Sequence, residues 1–175
     1  MSDVVTVPVI ETERLTLRAP RITDLDAFAT FFADERARFV GGPSDRVGTW
    51  QILLRMSGHW QLRGYGLWVA ARRTTGEPVG YAGIVNHVDW PEPELGYAIF
   101  AAWEGRGYAF EAAEAARSAA AERFGIARPI SLVAPENTRS VRLAKRLGAA
   151  FERDIELRGE TTYVFRHPGA EGAAA

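Results

Sequence analysis

The stretch from Trp103 to Ala113, Trp-Glu-Gly-Arg-Gly-Tyr-Ala-Phe-Glu-Ala-Ala, has the makings of a phosphate cradle. Gly105 and Gly107, followed by Ala109, stand where an apolar run ending near Phe100 and Ala101 gives way to an alanine-rich helical pattern. Glycine has no Cβ to hold a backbone N–H away from an anion. A helix that starts there adds unpaired N–H donors and the positive end of its dipole. Two other owners of such a loop fail on spacing. No Lys followed by Ser or Thr comes after the last glycine, so a nucleoside-triphosphate P-loop is excluded. A dinucleotide fingerprint needs a third glycine and an acidic residue after a second strand, about 20 residues on. Here the third glycine is absent and the next ~20 residues read as one helix. From this stretch alone, glycines placed for helix packing stay open as the alternative.

Composition narrows the setting. The 175 residues and 19.3 kDa suit one domain, and 47% hydrophobic residues supply a full core. A net charge of −1 and a pI near 6.3 give no basic field for nucleic acid or anionic lipid. The absence of cysteine removes disulfides, thiolate zinc sites and Cys nucleophiles. His59, His87 and His167 show no ligand spacing, so no metal site is expected. Met1-Ser2-Asp3-Val4 does not open a signal peptide, and no apolar run has the length of a membrane span, so a cytoplasmic location is expected.

The flanking elements follow from periodicity. Glu11 to Arg18 alternates as a half-buried strand, with Leu15 and Leu17 on one face and Arg14, Thr16 and Arg18 on the other. Thr23 and Asp24 cap a helix carrying Leu25, Phe28, Phe31 and Phe32. After Gly41-Gly42-Pro43, Ser44 or Asp45 opens a second helix, with Val47, Trp50, Leu54 and Trp60 expected inward, up to Gly64. Residues 66–73, 78–85 and 94–101 read as an antiparallel meander leading into the glycine turn. Phe110, Ala113, Ala116, Ala120 and Phe124 form a helix stripe ending at Gly125. Pro129 to Ala134 is an apolar central strand, and Asn137 caps a helix that ends at Gly148. Residues 151–157 and 161–166 read as a closing hairpin.

Taken together, Gly-x-Gly-x-Ala, preceded by Glu94-Leu95-Gly96-Tyr97-Ala98-Ile99 and followed by Glu111-Ala112, resembles the acyl-CoA pyrophosphate loop of the GNAT N-acetyltransferase superfamily. The wording is similar to that of the branch holding the Rim-type (RimJ/RimL-like) ribosomal-protein N-acetyltransferases. Glu11 to Arg18, Asn137 with Ser140 and Leu147-Gly148, and the ending Tyr163 to Pro168 fit the same branch in the same order, so the resemblance covers residues 11–168. It implies an α/β (α+β) GNAT fold, a mixed, mostly antiparallel sheet of about seven strands flanked by about four helices. One domain over 8–168 is expected, with flexible tails at 1–7 and 169–175.

The resemblance also implies a reaction: transfer of an acetyl group from acetyl-CoA to a primary amine, by direct attack in a ternary complex and without a metal. The backbone of Glu104, Gly105, Arg106, Gly107, Tyr108 and Ala109 would hold the pyrophosphate. Ile99 and Phe100 would pair with the pantetheine arm and help polarise the acetyl carbonyl, and Asn137 would hydrogen-bond the arm. Arg142 and Lys145 would reach the nucleotide phosphate or else form a solvated helix face. Glu104 departs from the family, which often has Gln or Arg there; an acid beside a pyrophosphate is tolerable when it points away. Ala144 stands where many relatives carry a Tyr general acid, so Ser140 becomes the candidate proton donor to the thiolate. Glu94 is the candidate base, with a solvent-facing strand-end glutamate as the alternative and His87 as an outside candidate. Glu111 reads as a helix-terminus residue. The acceptor stays open between a protein N-terminus and a small amine such as an amino acid, polyamine or antibiotic. A homodimer through the closing hairpin is compatible with the sequence. A non-catalytic acyl-CoA-binding module with the same fold is the alternative function.

Overall fold

The computed structural model describes residues 5–169 of the chain. Its strands are β1 (Ile10–Glu11), β2 (Leu15–Arg18), β3 (Leu67–Arg72), β4 (Pro78–Val85), β5 (Glu94–Ile99), β6 (Ile130–Val133), β7 (Ala150–Leu157) and β8 (Glu160–Arg166). The α-helices are α1 (Leu25–Phe32), α2 (Arg46–Arg63), α3 (Tyr108–Phe124) and α4 (Thr138–Arg146), with short 3₁₀ turns at Ile22–Asp24, Glu35–Val40 and Ala101–Trp103. One sheet runs β1-β2-β3-β4-β5-β6-β8-β7, antiparallel except where β5 meets β6. The expected mixed, mostly antiparallel sheet is present, with the two-residue β1 as an eighth strand. β5 stops at Ile99, two residues short of expectation, because the chain turns through the Ala101–Trp103 3₁₀ turn before the glycines.

Strand alternation sorts side chains onto two faces. Trp68, Ala70, Ala82, Ile84, Leu95 and Ile99 meet the alanine stripe of α3, where Ala112, Ala113, Ala116 and Ala120 are all fully buried. Alanine lets a helix lie close to a sheet, and that closeness replaces bulk. Val69, Tyr81, Ala98 and Phe100 face the other way, into an aromatic cluster with Phe28, Phe31 and Phe32 of α1 and Leu53 and Met56 of α2. Phe28 packs 5.1 Å edge-on to Phe100 and 5.9 Å stacked on Tyr81, ring to ring. α4 closes a third cluster through Ala144, Val133 and Phe165.

Two expectations on the first elements are corrected. α2 buries Thr49, Leu53, Met56 and Trp60, while Val47, Trp50 and Leu54 are exposed. Both sets recur at helical spacing, and packing against α1 and β3 selects the one that also carries Trp60, which meets Trp68 at 4.9 Å. Arg18 does not face solvent. It is buried with Asp24, held by two hydrogen bonds of 2.9 and 2.7 Å, and Asp24 also accepts the Arg21 N–H. A buried carboxylate engaged in this way gives α1 no side-chain cap. Of the tails expected to be flexible, residues 1–4 and 170–175 lie outside the described residues. Val7 packs on the core and the Pro8 carbonyl accepts the Trp68 indole N–H at 2.8 Å.

Candidate active site

The glycine turn forms as its composition demands. Gly105 and Gly107 have φ of +74° and +81°, and α3 starts directly after them. The first helical bond runs from Glu111 N–H to the Gly107 carbonyl. The N–H groups from Gly105 to Phe110 take no acceptor among the described residues. A Cβ at Gly105 would meet nothing within 4 Å, so the loop's outer face is open. Its inner face is braced by Arg14, a residue whose part was not legible in the sequence. Arg14 donates to the Arg106 carbonyl at 2.9 Å and to Glu111 at 2.7 Å, and it lies 4.7 Å over the Tyr108 ring. Glu111 also accepts the Thr12 hydroxyl and the Arg14 N–H. These bonds hold its carboxyl below the usual carboxylate range despite burial, and make it a tie between the β1–β2 turn and the helix terminus.

Glu104 does not point a free charge at the cradle. Its carboxylate is held at 2.6 Å by Arg36 and at 2.7 Å by Arg139. The expected phosphate contacts divide. Arg142 lines the cavity together with Arg139 and Arg146, three residues of one α4 face, whereas Lys145 lies off that face. Arg106 is turned onto Trp103, 5.0 Å from the ring. Tyr108 and Ala109 line the cavity at its loop end.

The cavity, about 890 Å³, runs from this loop through the sheet to the α1–α2 side. It passes through the sheet because β5 and β6 share a single ladder pair, Glu94 with Ile130. In a parallel ladder of this register the next bond would join the Leu132 N–H to the Leu95 carbonyl. Both groups bond to side chains instead. Leu132 N–H donates to Glu94 Oε1 at 3.0 Å, and the Ser131 hydroxyl donates to the Leu95 carbonyl at 2.9 Å. Ser131 is tied in turn to His167 Nε2 at 2.9 Å. At the point where the strands part, both of these backbone groups are therefore satisfied, as buried chain requires. His167 is fully buried, and burial with the nearby Arg117 charge pushes its pKa down to about 4, so it serves this wedge as a neutral ring.

Of the two strand-end residues expected at the acyl group, Ile99 lines the cavity and Phe100 does not. The Phe100 N–H is already spent on the Val79 carbonyl at 2.8 Å, and its ring is buried among Phe28 and Phe31. Alternation then turns the N–H groups of Tyr97 and Ile99 toward the gap.

Side chains along β5 split between the two faces. Tyr97 and Ile99 share the α3 face, where the Tyr97 hydroxyl lies 3.2 Å from Ser140 Oγ. Burial pushes the Tyr97 hydroxyl up to about 12, so it stays a donor. This tyrosine supplies a hydroxyl beside Ser140 although position 144 is alanine; its place in the alternation was the available signal. Asn137 caps α4 through the Ser140 N–H at 3.2 Å, which fixes Ser140 at the cavity wall. Glu94 lies on the opposite side of the strand, 8% exposed, with its pKa pushed up to about 8 by burial against the lowering pull of the Leu132 N–H.

The end of the cavity away from the loop is walled by Phe31, Phe39, Ile52, Met56, His59, His87, Trp90 and the turn between β7 and β8. His59 and His87, scattered in sequence, come within 6.0 Å ring to ring. His59 Nε2 accepts the Asn86 N–H at 3.0 Å, so its Nδ1 carries the proton given to the Tyr65 carbonyl at 2.7 Å. With its lone pair used, His59 is not a base. His87 packs edge-on to Trp90 at 4.4 Å. Among the described residues no three His, Asp or Glu side chains are grouped to hold a metal ion.

Comparison with known proteins bears on this geometry. Residues 14–150 match the family model described as an acetyltransferase (GNAT) domain. A crystal structure of an acetyltransferase from Agrobacterium tumefaciens str. C58 is 36% identical, with a TM-score of 0.85 over 93% of this chain and 95% of that one. The uncharacterised protein YkkB of Bacillus subtilis is 29% identical over 82% of this chain and 86% of its own length. RimL, a ribosomal L7/L12 alpha-N-protein acetyltransferase solved with coenzyme A, shares the fold at a TM-score of 0.76 and 18% identity, over 92% and 98% of the two chains. With its domain model matched over most of its length, the chain belongs to the GNAT acetyltransferase family.

Proposed function

We propose that the protein transfers an acetyl group from acetyl-CoA to a primary amine by direct attack within a ternary complex. The observation that carries this reading is the parted β5–β6 pair. One cavity joins a ring of unpaired N–H donors to a buried carboxyl on one side of β5 and a hydroxyl pair on the other. The N–H groups of residues 105–110 suit the pyrophosphate, and Arg142 and Arg146 suit the nucleotide phosphate. The free Ile99 and Tyr97 N–H groups suit the pantetheine arm and the thioester carbonyl.

Glu94 is the proton acceptor for the incoming ammonium. A carboxyl near 8 is matched to an amine at neutral pH far better than an ordinary one near 4.5. Ser140 donates a hydrogen bond to the departing sulfur, with Tyr97 donating to Ser140 behind it. Tyr97 itself, near 12, holds its proton too tightly to give it fully to a thiolate, whose ordinary value is about 8.5. The pair therefore stabilises charge. Of the two protons the ammonium loses, Glu94 takes the first. The second, lost as the C–N bond forms and the C–S bond breaks, ends on the thiol.

Calorimetric titration with acetyl-CoA, followed by thiol release against a panel of amines and N-terminal peptides, tests the assignment. Binding with acceptor-dependent release is expected. Binding without release on any acceptor would point to an acyl-CoA sensor.

A further inference from the structure

The acceptor end of the cavity carries a charge that the chain as a whole does not. Against a net charge of −1, its wall presents Arg38, Arg55 and Arg158, the last paired with Asp89. The acidic residues lining the whole cavity are Glu94 and Glu104. Glu104 is consumed by Arg36 and Arg139. Glu94 is buried and holds its proton up to about pH 8. No free carboxylate faces the entering substrate. A polyamine or aminoglycoside, with several positive charges, would meet only like charge there.

Two of these arginines flank His87. Arg55 stands one helical turn before His59 on α2, which places both on the same face. It has no ion-pair partner among the described residues. Arg158 reaches the cavity from the opposite wall, at the two-residue turn between β7 and β8. Its φ of +52° makes it the single non-glycine residue in the left-handed region among those described, in a turn position that favours Asn, Asp or Gly. Asp89 takes its Nε and one Nη2 proton at 2.6 and 3.1 Å. A guanidinium has five N–H donors, so its outer edge stays available. The charges of both arginines, after burial and His59, hold the His87 pKa down.

We propose that the acceptor is an amine bearing a carboxylate, and that Arg55 and Arg158 receive that carboxylate while the amine enters toward Glu94. Phe31, Phe39, Ile52 and Met56 on the same wall suit an apolar portion between the two groups. A free amino acid and a peptide with an acidic side chain near its N-terminus share this chemistry. The inference rests on the acetyltransferase reading above and adds the substrate class.

The test compares kcat/KM for free L-amino acids with their carboxamides, for N-terminal peptides with Asp or Asn at the second and third residues, and for spermidine and kanamycin. Direct binding of the same amines to CoA-loaded protein is measured alongside. Each carboxylate-bearing member should exceed its neutral partner by tenfold or more, and added salt should narrow the gap. Arg55→Ala should bring the acid-to-amide ratio toward one, and Arg55→Lys should restore part of it. A preference confined to free amino acids, or to acidic peptides, identifies the source of the carboxylate and supports the proposal either way. Equal rates for acids and amides, or preferred turnover of spermidine or kanamycin, would overturn it while leaving the acetyltransferase reading intact. So would failure of every carboxylate-bearing amine to bind or react on protein that binds acetyl-CoA. Failure to bind acetyl-CoA would overturn the underlying reading instead.

Discussion

The two ends of the cavity are built on different principles. The loop end offers backbone: Gly105, Gly107 and the first turn of α3 present N–H groups, and the side chains beneath serve as braces. The end proposed for the acceptor offers side chains from elements far apart in sequence: α2, the end of β4 and the last hairpin. A backbone cradle suits one invariant ligand, since it needs only the right φ angles and a helix start. A side-chain wall can change its selectivity one residue at a time. β5 joins the two by alternation, with Tyr97 turned to one side and Glu94 to the other.

The two ends should therefore break independently. The largest effect is expected from Glu94→Gln, which keeps an oxygen for the Leu132 N–H but removes the base. Its kcat should fall at least about 100-fold, with acetyl-CoA affinity within about twofold of wild type. Single-turnover kinetics and calorimetry on the same samples would check this. In the wild type, kcat should rise with pH and level off near 8, the value of the Glu94 carboxyl, and the variant should lose that limb.

The same residue yields a stability test with a definite sign. The Glu94 carboxyl is raised in the fold, so the native state binds the extra proton between the ordinary value of 4.5 and about 8. Stability must then fall as pH rises across that window. Wild type should lose stability relative to Glu94→Gln from pH 5 to pH 8, by at most about 4 kcal/mol. Urea denaturation at the two pH values reads it, and a pH-independent difference would contradict the buried carboxyl.

Smaller effects belong to the loop end. Arg14→Ala removes the brace under Gly107 and Tyr108, and should weaken acetyl-CoA binding by about tenfold, some 1.4 kcal/mol, with kcat at saturation little changed. Smallest should be Lys145→Ala, within about twofold, beside a clear loss for Arg142→Ala. Equal losses would return Lys145 to the phosphate site. Competition titrations with CoA and its 3′-dephospho form separate the two.

This division also explains what the sequence could convey. The glycine turn, the strand before it and the alanine helix after it are local patterns, and all were legible in one continuous stretch. Asn137 and Ser140 were legible for the same reason, because a cap and its third neighbour are fixed by helix geometry. The wedge that parts β5 from β6 was not, since Ser131, His167, Leu95 and Glu94 meet only through strand order. The inward face of α2 was ambiguous because two apolar stripes share its period, and only its neighbours choose between them. Phe100 reads as an available strand end, but the Val79 carbonyl, distant in sequence, takes its N–H. Arg158 at the acceptor mouth depends on a turn about 70 residues from the Asp89 it meets, a separation no local pattern encodes.

The central claim is that a backbone cradle at Gly105–Phe110 binds acetyl-CoA. The most direct measurement is a calorimetric titration of acetyl-CoA into wild type and Gly107→Val, with folding of both verified by circular dichroism. A β-branched residue at φ +81° would distort the turn, and its Cβ would crowd Arg14 at 3.3 Å. One-site binding to wild type, lost in a folded variant, is the predicted result. No binding to wild type, or undiminished binding to the variant, would contradict the account.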